Sequence, residues 1–339
     1  MSRKSYFLIV LIVVCIAALL LLILWPNEIK SSRRWIIDEP GPGPNDIAYS
    51  YNIDSDDENY IEIHYDNTCV VNFTSKTALE KSDFDLANGY RDTIEAVTIK
   101  GNVKTIGKDA FKGFGAIETV CIECDLDSIG ENAFEACNEL VSIYSEYKLG
   151  RICSKAFFNC NSLNVVLFQE LQIIEEYAFA NCHALWYIIT EAITEIGDYA
   201  FLNCVSLYSV DLKNVETIGN YAFNACESLE TIYINAEINS IGKKAFSDCN
   251  SLRLNTYSNA KYLGNIDEKY IALIEYASDT SATCKIKAST QFIAENAFKD
   301  TNVTTIKYEG TKEDFEKIKP TTLGKEITVQ CSDGNLQFS

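Results

Sequence analysis

Histidine is nearly absent from this chain: two residues, His64 and His183, among 339. Imidazole is the usual acid–base group near neutral pH and the commonest metal ligand, so histidine-based catalysis has little raw material. Positive charge is also scarce. Lys and Arg number 29 against 48 Asp and Glu, a formal net charge of -19. A phosphate backbone demands clustered cations, so nucleic acid is not expected as a partner. Three catalytic signatures are missing as well: there is no G-x-S-x-G, no H-E-x-x-H and no phosphate-binding glycine loop. His64 and His183 lie far apart in sequence, and His183 falls in a variable turn. No enzyme is expected, and no cofactor is implied.

The composition is otherwise that of a foldable chain, 47% hydrophobic and 23% charged. It opens with "YFLIVLIVVCIAALLLLILW", residues 6–25, an uncharged apolar run. About 20 such residues at ~1.5 Å each cross a ~30 Å hydrocarbon core. A signal peptide has a shorter apolar region and a small-x-small cleavage site, which is not found before Trp25. The run reads as a single transmembrane helix behind a short tail, residues 1–5. Cationic residues flank it almost evenly, with Arg3 and Lys4 before it and Lys30, Arg33 and Arg34 after. So short a leading tail favours a cytoplasmic N-terminus, which places the bulk of the chain outside the cytoplasm. Residues 26–46, ending in "EPGPGPND", form an extended spacer. Residues 47–93 alternate apolar and polar side chains ("YIEIHYD", "TCVVNFT") and read as strands that cap the rest of the chain.

From about residue 94 the chain repeats itself. Ala-Phe pairs begin at Ala110, Ala133, Ala156, Ala178, Ala200, Ala222 and Ala245, and an eighth, Ala297-Phe298, comes after a gap. Four residues before each Ala stands Ile: Ile106, Ile129, Ile152, Ile174, Ile196, Ile218, Ile241 and Ile293. Six after Phe comes Ile117, then Leu140, Leu163, Leu185, Leu207, Leu229 and Leu252, opening a strand of the form "LETIYI". A fixed period of this kind is the mark of a solenoid whose units bury their faces on one another. Alternation sends the fourth and sixth strand positions inward. The expected fold is a right-handed, leucine-rich-repeat-like, β-rich coil of about eight rungs of 22–23 residues.

Cys137, Cys160, Cys182, Cys204, Cys226 and Cys249 all lie three residues after the repeat Phe. They stand in one column, with successive members about 4.8 Å apart. Reduced cysteine is small and apolar and fits a tight internal corner. Disulfides up the column and a metal site are the alternatives. Phe114 and Thr301 at the same offset in the first and last repeats speak against a ligand role. Cys121 and Cys124 form the lone C-x-x-C, without the second pair that zinc requires. Asp54, Asp56, Asp57 and Glu58 resemble a calcium loop, but Asn59 and Tyr65 occupy the positions where an EF-hand has Gly and Glu. No metal is expected. Asn72 ("NFT") and Asn302 ("NVT") are glycosylation sequons, relevant only in a eukaryotic lumen.

The segments "IEAVTIKGNVKTIGKDAF", "SLYSVDLKNVETIGNYAFNACESLETIYI" and "INSIGKKAFSDCNSL" resemble the BspA-like leucine-rich repeats. The resemblance runs over roughly residues 91–335. It implies a repeat solenoid over 94–257, an insertion hairpin over 258–290, and a final repeat with C-terminal cap over 291–339. The family usually carries Trp in the closing segment where this chain has Phe315. Such proteins are typically surface or secreted proteins linked to adhesion. The resemblance thus implies a protein or glycan ligand on another surface and names none.

Any binding face is set by the repeat strand, whose second, third and fifth positions point outward. Mid-array these are Tyr144, Val165, Leu167, Trp186, Tyr187, Ile189, Tyr208 and Tyr233. A solvated sheet needs none of these, and Trp and Tyr are common interface anchors. Strand propensity alone, or cover by another segment, is the competing explanation. A scaffold of the same fold facing the cytoplasm is the alternative function; there a column of reduced thiols is ordinary.

Overall fold

The computed structural model describes residues 47–338 apart from 53–58, 65, 85–89, 189–191, 236–237, 266, 277–280, 296, 300, 321–322 and 324–325. The apolar run 6–25 and the acidic loop 54–58 lie outside the described residues. Among the described residues no helix is long and apolar enough to cross a membrane, and no cluster of three or more metal-ligating side chains occurs.

Each repeat is one coil with two parallel contacts to the next. The longer strand of one coil, such as Ala96–Gly101, pairs in register with Thr119–Glu123, then with Ser142–Ile152. The inward residues therefore stack: Val97 on Val120, Ile143 and Val166. A short second strand makes the return contact, aligning Ile106, Ile129, Ile152, Ile174, Ile196, Ile218 and Ile241. All seven are buried. The recurrent spacing in the sequence is thus the register of two parallel sheets. Each unit has too small a core by itself, and stacking removes both its faces from water.

The turn between the short strand and the next coil carries the Ala-Phe-x-x-Cys signature. Phe111, Phe134, Phe157, Phe179, Phe201, Phe223 and Phe246 form one column, with centroids 5.0–5.5 Å apart and planes within 10° of parallel. Isolated rings prefer offset or edge contacts; here the coil spacing imposes the parallel stack. From Phe111 to Phe223 the backbone N–H of each Phe donates to the Ala carbonyl of the next coil, as from Phe111 to Ala133 (2.7 Å) and from Phe134 to Ala156 (2.8 Å). Two residues of every turn adopt left-handed backbone angles. One column runs Asp109, Asn132, Lys155, Tyr177, Tyr199, Tyr221, Lys244; the other includes Ala136, Asn159, Asn181, Asn203, Ala225 and Asp248.

The same contacts extend the solenoid beyond the eight periodic units, to about ten turns. At the N-terminal end, Leu79 aligns with Ile106. Phe84 comes five residues later, as Phe111 does after Ile106, and packs on Phe111 at 4.9 Å. The Ala of the signature is here Asp83, tied to Lys76 and to the Glu80 N–H. Near the C-terminal end, Leu273 aligns with Ile293, and the Tyr276 N–H donates to the Ala297 carbonyl at 2.8 Å. Tyr276 therefore takes the place of the repeat Phe. Between these coils Ala260–Leu263 runs antiparallel to Ala272–Tyr276. A coil follows, with Thr283–Ile286 parallel to Thr305–Tyr308. The count of eight is corrected because altered turn lengths and an Asp or Tyr at a signature position hide two coils from a periodicity search.

Both ends are closed. The hairpin strand Tyr60–His64 covers Thr68–Phe73, and the Asn59 side-chain Oδ1 accepts from the N–H groups of Thr74, Ser75 and Lys76. At the other end, helix Lys312–Ile318 is capped by Thr311 and buries Phe315 against Tyr308 and Phe338. The hairpin Ile327–Cys331 with Gly334–Phe338 ends the sheet.

Candidate interaction face and thiol column

The thiol column lies inside. Cys137, Cys160, Cys182, Cys204 and Cys226 are fully buried. Each sulfur donates to the carbonyl of the Phe one coil back, for example Cys137 to Phe111 (3.1 Å), Cys182 to Phe157 (3.1 Å) and Cys249 to Phe223 (3.0 Å). That carbonyl also receives the Cys N–H of its own coil, as Phe157 does from Cys160 (3.2 Å). The thiol thus fills the second acceptor site of a buried carbonyl, a use that packing alone does not predict. Burial pushes Cys137 and Cys249 up to about 12 and raises Cys160, Cys182 and Cys226 as well. All twelve described cysteines are free. The disulfide alternative is therefore not realised. Phe114 and Thr301 are buried at the same offset in the end coils.

On the outside, the second strand positions form a hydrogen-bonded column. The Glu118 N–H donates to Glu95, Val141 to Glu118, Asn164 to Val141, Trp186 to Asn164, Tyr208 to Trp186, and Glu230 to Tyr208 (2.7–3.3 Å). Trp186 is 40% exposed and Tyr208 52%. The fifth positions form a parallel column in which Tyr144 (38% exposed) sits beside Leu167, and Tyr233 (40%) beside Asp211. Val165 neighbours Tyr187, and the Trp186 and Tyr187 rings lie 5.7 Å apart. Val165, Leu167 and Tyr187 are half-buried between their neighbours. Ile189 lies outside the described residues.

Polar groups anchor parts of this surface. Tyr144 is pushed up to about 12, first by its hydrogen bond with Cys121 and then by burial. The Tyr208 hydroxyl and the Arg253 guanidinium both bind the Glu230 carboxylate. At the other end Glu118 is raised by burial and by the charges of Glu95 and Glu139. His64 is half-buried in a cap strand near Glu62 (3.8 Å), and His183 is exposed in a turn.

Sequence reasoning missed Tyr147, 46% exposed just past Tyr144. It also missed a stack of Tyr177, Tyr199 and Tyr221, with rings 4.7 and 5.1 Å apart. The tetrapeptides "EYAF", "DYAF" and "NYAF" carried that signal. A third omission is the ladder in which Asn203 donates to Asn181 (3.0 Å) and Asn181 to Asn159 (2.8 Å).

Parallel coils with a short strand, a long strand and a buried apolar spine define a leucine-rich-repeat solenoid. The family model of the BspA type leucine rich repeat region matches six copies, over residues 89–186, 150–267 and 194–321, and the chain belongs to that family. Among solved structures it is similar to a Treponema pallidum (T. pallidum) leucine rich repeat protein: 21% identity, 60% of this chain and 91% of that one, TM-score 0.43. It is also similar to a leucine rich cell surface protein from Faecalibacterium prausnitzii A2-165: 20% identity, 83% and 100% coverage, TM-score 0.29. A third is the pneumococcal vaccine antigen PcpA, at 14% identity, 78% and 82% coverage and TM-score 0.37. No curated protein matches the chain.

Proposed function

We propose that this is a membrane-anchored interaction protein. The run 6–25 holds it in the membrane, and the repeat-strand face engages a protein or glycan on another surface. One observation carries the reading: Tyr144, Trp186, Tyr208 and Tyr233, all at least 38% exposed, share the outer face of one solenoid. Exposed large aromatics on a rigid surface bury much area at little entropic cost when a partner arrives. An enzymatic role is not supported by any paired nucleophile and base in the sequence, and a turnover lost on changing His64 or His183 would revive that class.

The direct test replaces Trp186 and Tyr208 with Ala or Ser and compares partner capture with thermal stability. Capture falls at least about tenfold while the melting temperature holds, because the two side chains are anchors and not core. Unchanged capture by a folded variant removes the reading. The second reading, a cytoplasmic scaffold, draws on the twelve cysteines that are free among the described residues. Protease shaving of intact cells decides between them: removal of the solenoid fits surface exposure, and full protection fits the scaffold.

A further inference from the structure

The interaction face is not electrically uniform, and its charge specifies the partner. Glu95 and Glu118 precede Val141, Asn164, Trp186 and Tyr208 in the same hydrogen-bonded column. Glu139 lies close enough to Glu118 that their charges act on one another. No cation is among the groups acting on Glu118, and none of these three carboxylates forms an ion pair among the described residues; Glu95 takes only the Asn67 amide (2.7 Å). Glu123 and Glu146 both act on Cys121 beside Tyr144, again without an opposing cation there. Some carboxylates elsewhere on the solenoid are paired coil to coil, as Glu131 is with Lys108, Glu135 with Lys112 and Glu175 with Arg151. Glu95, Glu118 and Glu139 thus stand together, without an ion pair among the described residues, at the end of the face that opens onto the exposed aromatics.

Resting on the interaction reading, we propose that the face binds a basic, extended protein segment. Its leading Lys or Arg meets Glu95, Glu118 and Glu139, and the segment continues across Tyr144, Trp186 and Tyr208. The dimensions agree. Glu118 to Tyr208 is four coil steps, about 19 Å at ~4.8 Å each, and an extended chain of about six residues at ~3.3 Å spans it. Like charges held together are relieved by an arriving cation, and a guanidinium sits favourably over Trp or Tyr. A neutral glycan would use the aromatics and leave the carboxylates in mutual repulsion.

The probes are two dye-labelled hexapeptides, one alternating Arg with Leu and one alternating Gln with Leu, titrated into the full-length chain and followed by anisotropy. The Arg peptide binds and the Gln peptide does not. The double variant Glu118→Gln/Glu139→Gln and the single variant Trp186→Ala each weaken the Arg peptide at least about tenfold. The charge-matched control Glu131→Gln/Glu176→Gln, on the turn side of the coils, leaves it within about twofold. Equal loss in that control means attraction to net charge alone and overturns the proposal, as does equal binding of the Gln peptide. The same variants are then compared for capture of partner cells. Capture lost with Trp186→Ala but kept with Glu118→Gln/Glu139→Gln overturns the basic-segment inference and keeps the interaction reading, which then points to a neutral ligand. Capture indifferent to Trp186→Ala and Tyr208→Ser overturns both.

Discussion

At the scale of the residue, columns of phenyl and sulfur run through an interior otherwise built mainly of Ile, Leu and Val. Phe179 is buried between Phe157 and Phe201 in the middle of its column. Phe179→Ala is expected to cost about 3–5 kcal/mol, read from urea unfolding, because the coils on both sides cannot collapse into the cavity. Cys182→Ala removes one buried sulfur and one thiol hydrogen bond to a carbonyl that keeps its second donor. Its cost is correspondingly smaller, roughly 1–2 kcal/mol. The thiols also set an alkaline limit. Their folded pKa values lie above the ordinary thiol value of 9.0, near 12 for Cys137 and Cys249. A neutral thiol is favoured by burial, so the folded state holds more protons than the unfolded state between about pH 9 and 12. That stabilisation is fully present below pH 9 and is lost as pH rises through this window. A pH titration monitored by circular dichroism should show unfolding there, and Cys182→Ala/Cys204→Ala should flatten the dependence.

At the scale of the element, the turns and caps matter most. Asn181 has φ of 63° and makes two ladder bonds. Asn181→Gly keeps the backbone and loses the ladder, whereas Asn181→Val also forces a β-branched side chain into a left-handed conformation. The valine variant should be the less stable by roughly 1–3 kcal/mol in chemical denaturation. Asn59 closes the N-terminal coil through three backbone donors. Asn59→Ala should release Thr68–Phe73 to faster amide exchange while the central coils stay protected, because on its outer side this strand has only the cap hairpin and no full coil. The inward Ile, Phe and Cys positions were legible in the sequence because a strand's alternation and a coil's period are local properties. The coils at Phe84 and Tyr276 were not. Their membership rests on pairing with Phe111 and Ala297, which no spacing rule expresses once the turn length changes.

At the scale of the whole molecule, a solenoid is a one-dimensional array, so its stability is close to a sum of coils and interfaces. Removing residues 197–218 joins Ile196 to Gly219, the same junction one coil later. The shortened protein should fold with the same circular dichroism signature and a modestly lower melting temperature. Cutting a non-integral segment should abolish cooperative unfolding, since one residue of slip turns every inward side chain outward. The net charge of -19 also acts globally. Raising salt from about 0.01 M to about 0.15 M should raise the melting temperature by screening self-repulsion.

The period, the inward spine, the family and the strand face that carries Trp186 and Tyr208 were decided by the sequence alone, because each depends on spacing within one coil. The tertiary structure decided three other things. It set the number of coils, gave the buried thiols hydrogen-bonded carbonyls, and brought Glu139 up to Glu118 at one end of the aromatic surface. Those depend on which side chains meet across neighbouring turns, and a linear chain leaves that open until its coils are stacked in register.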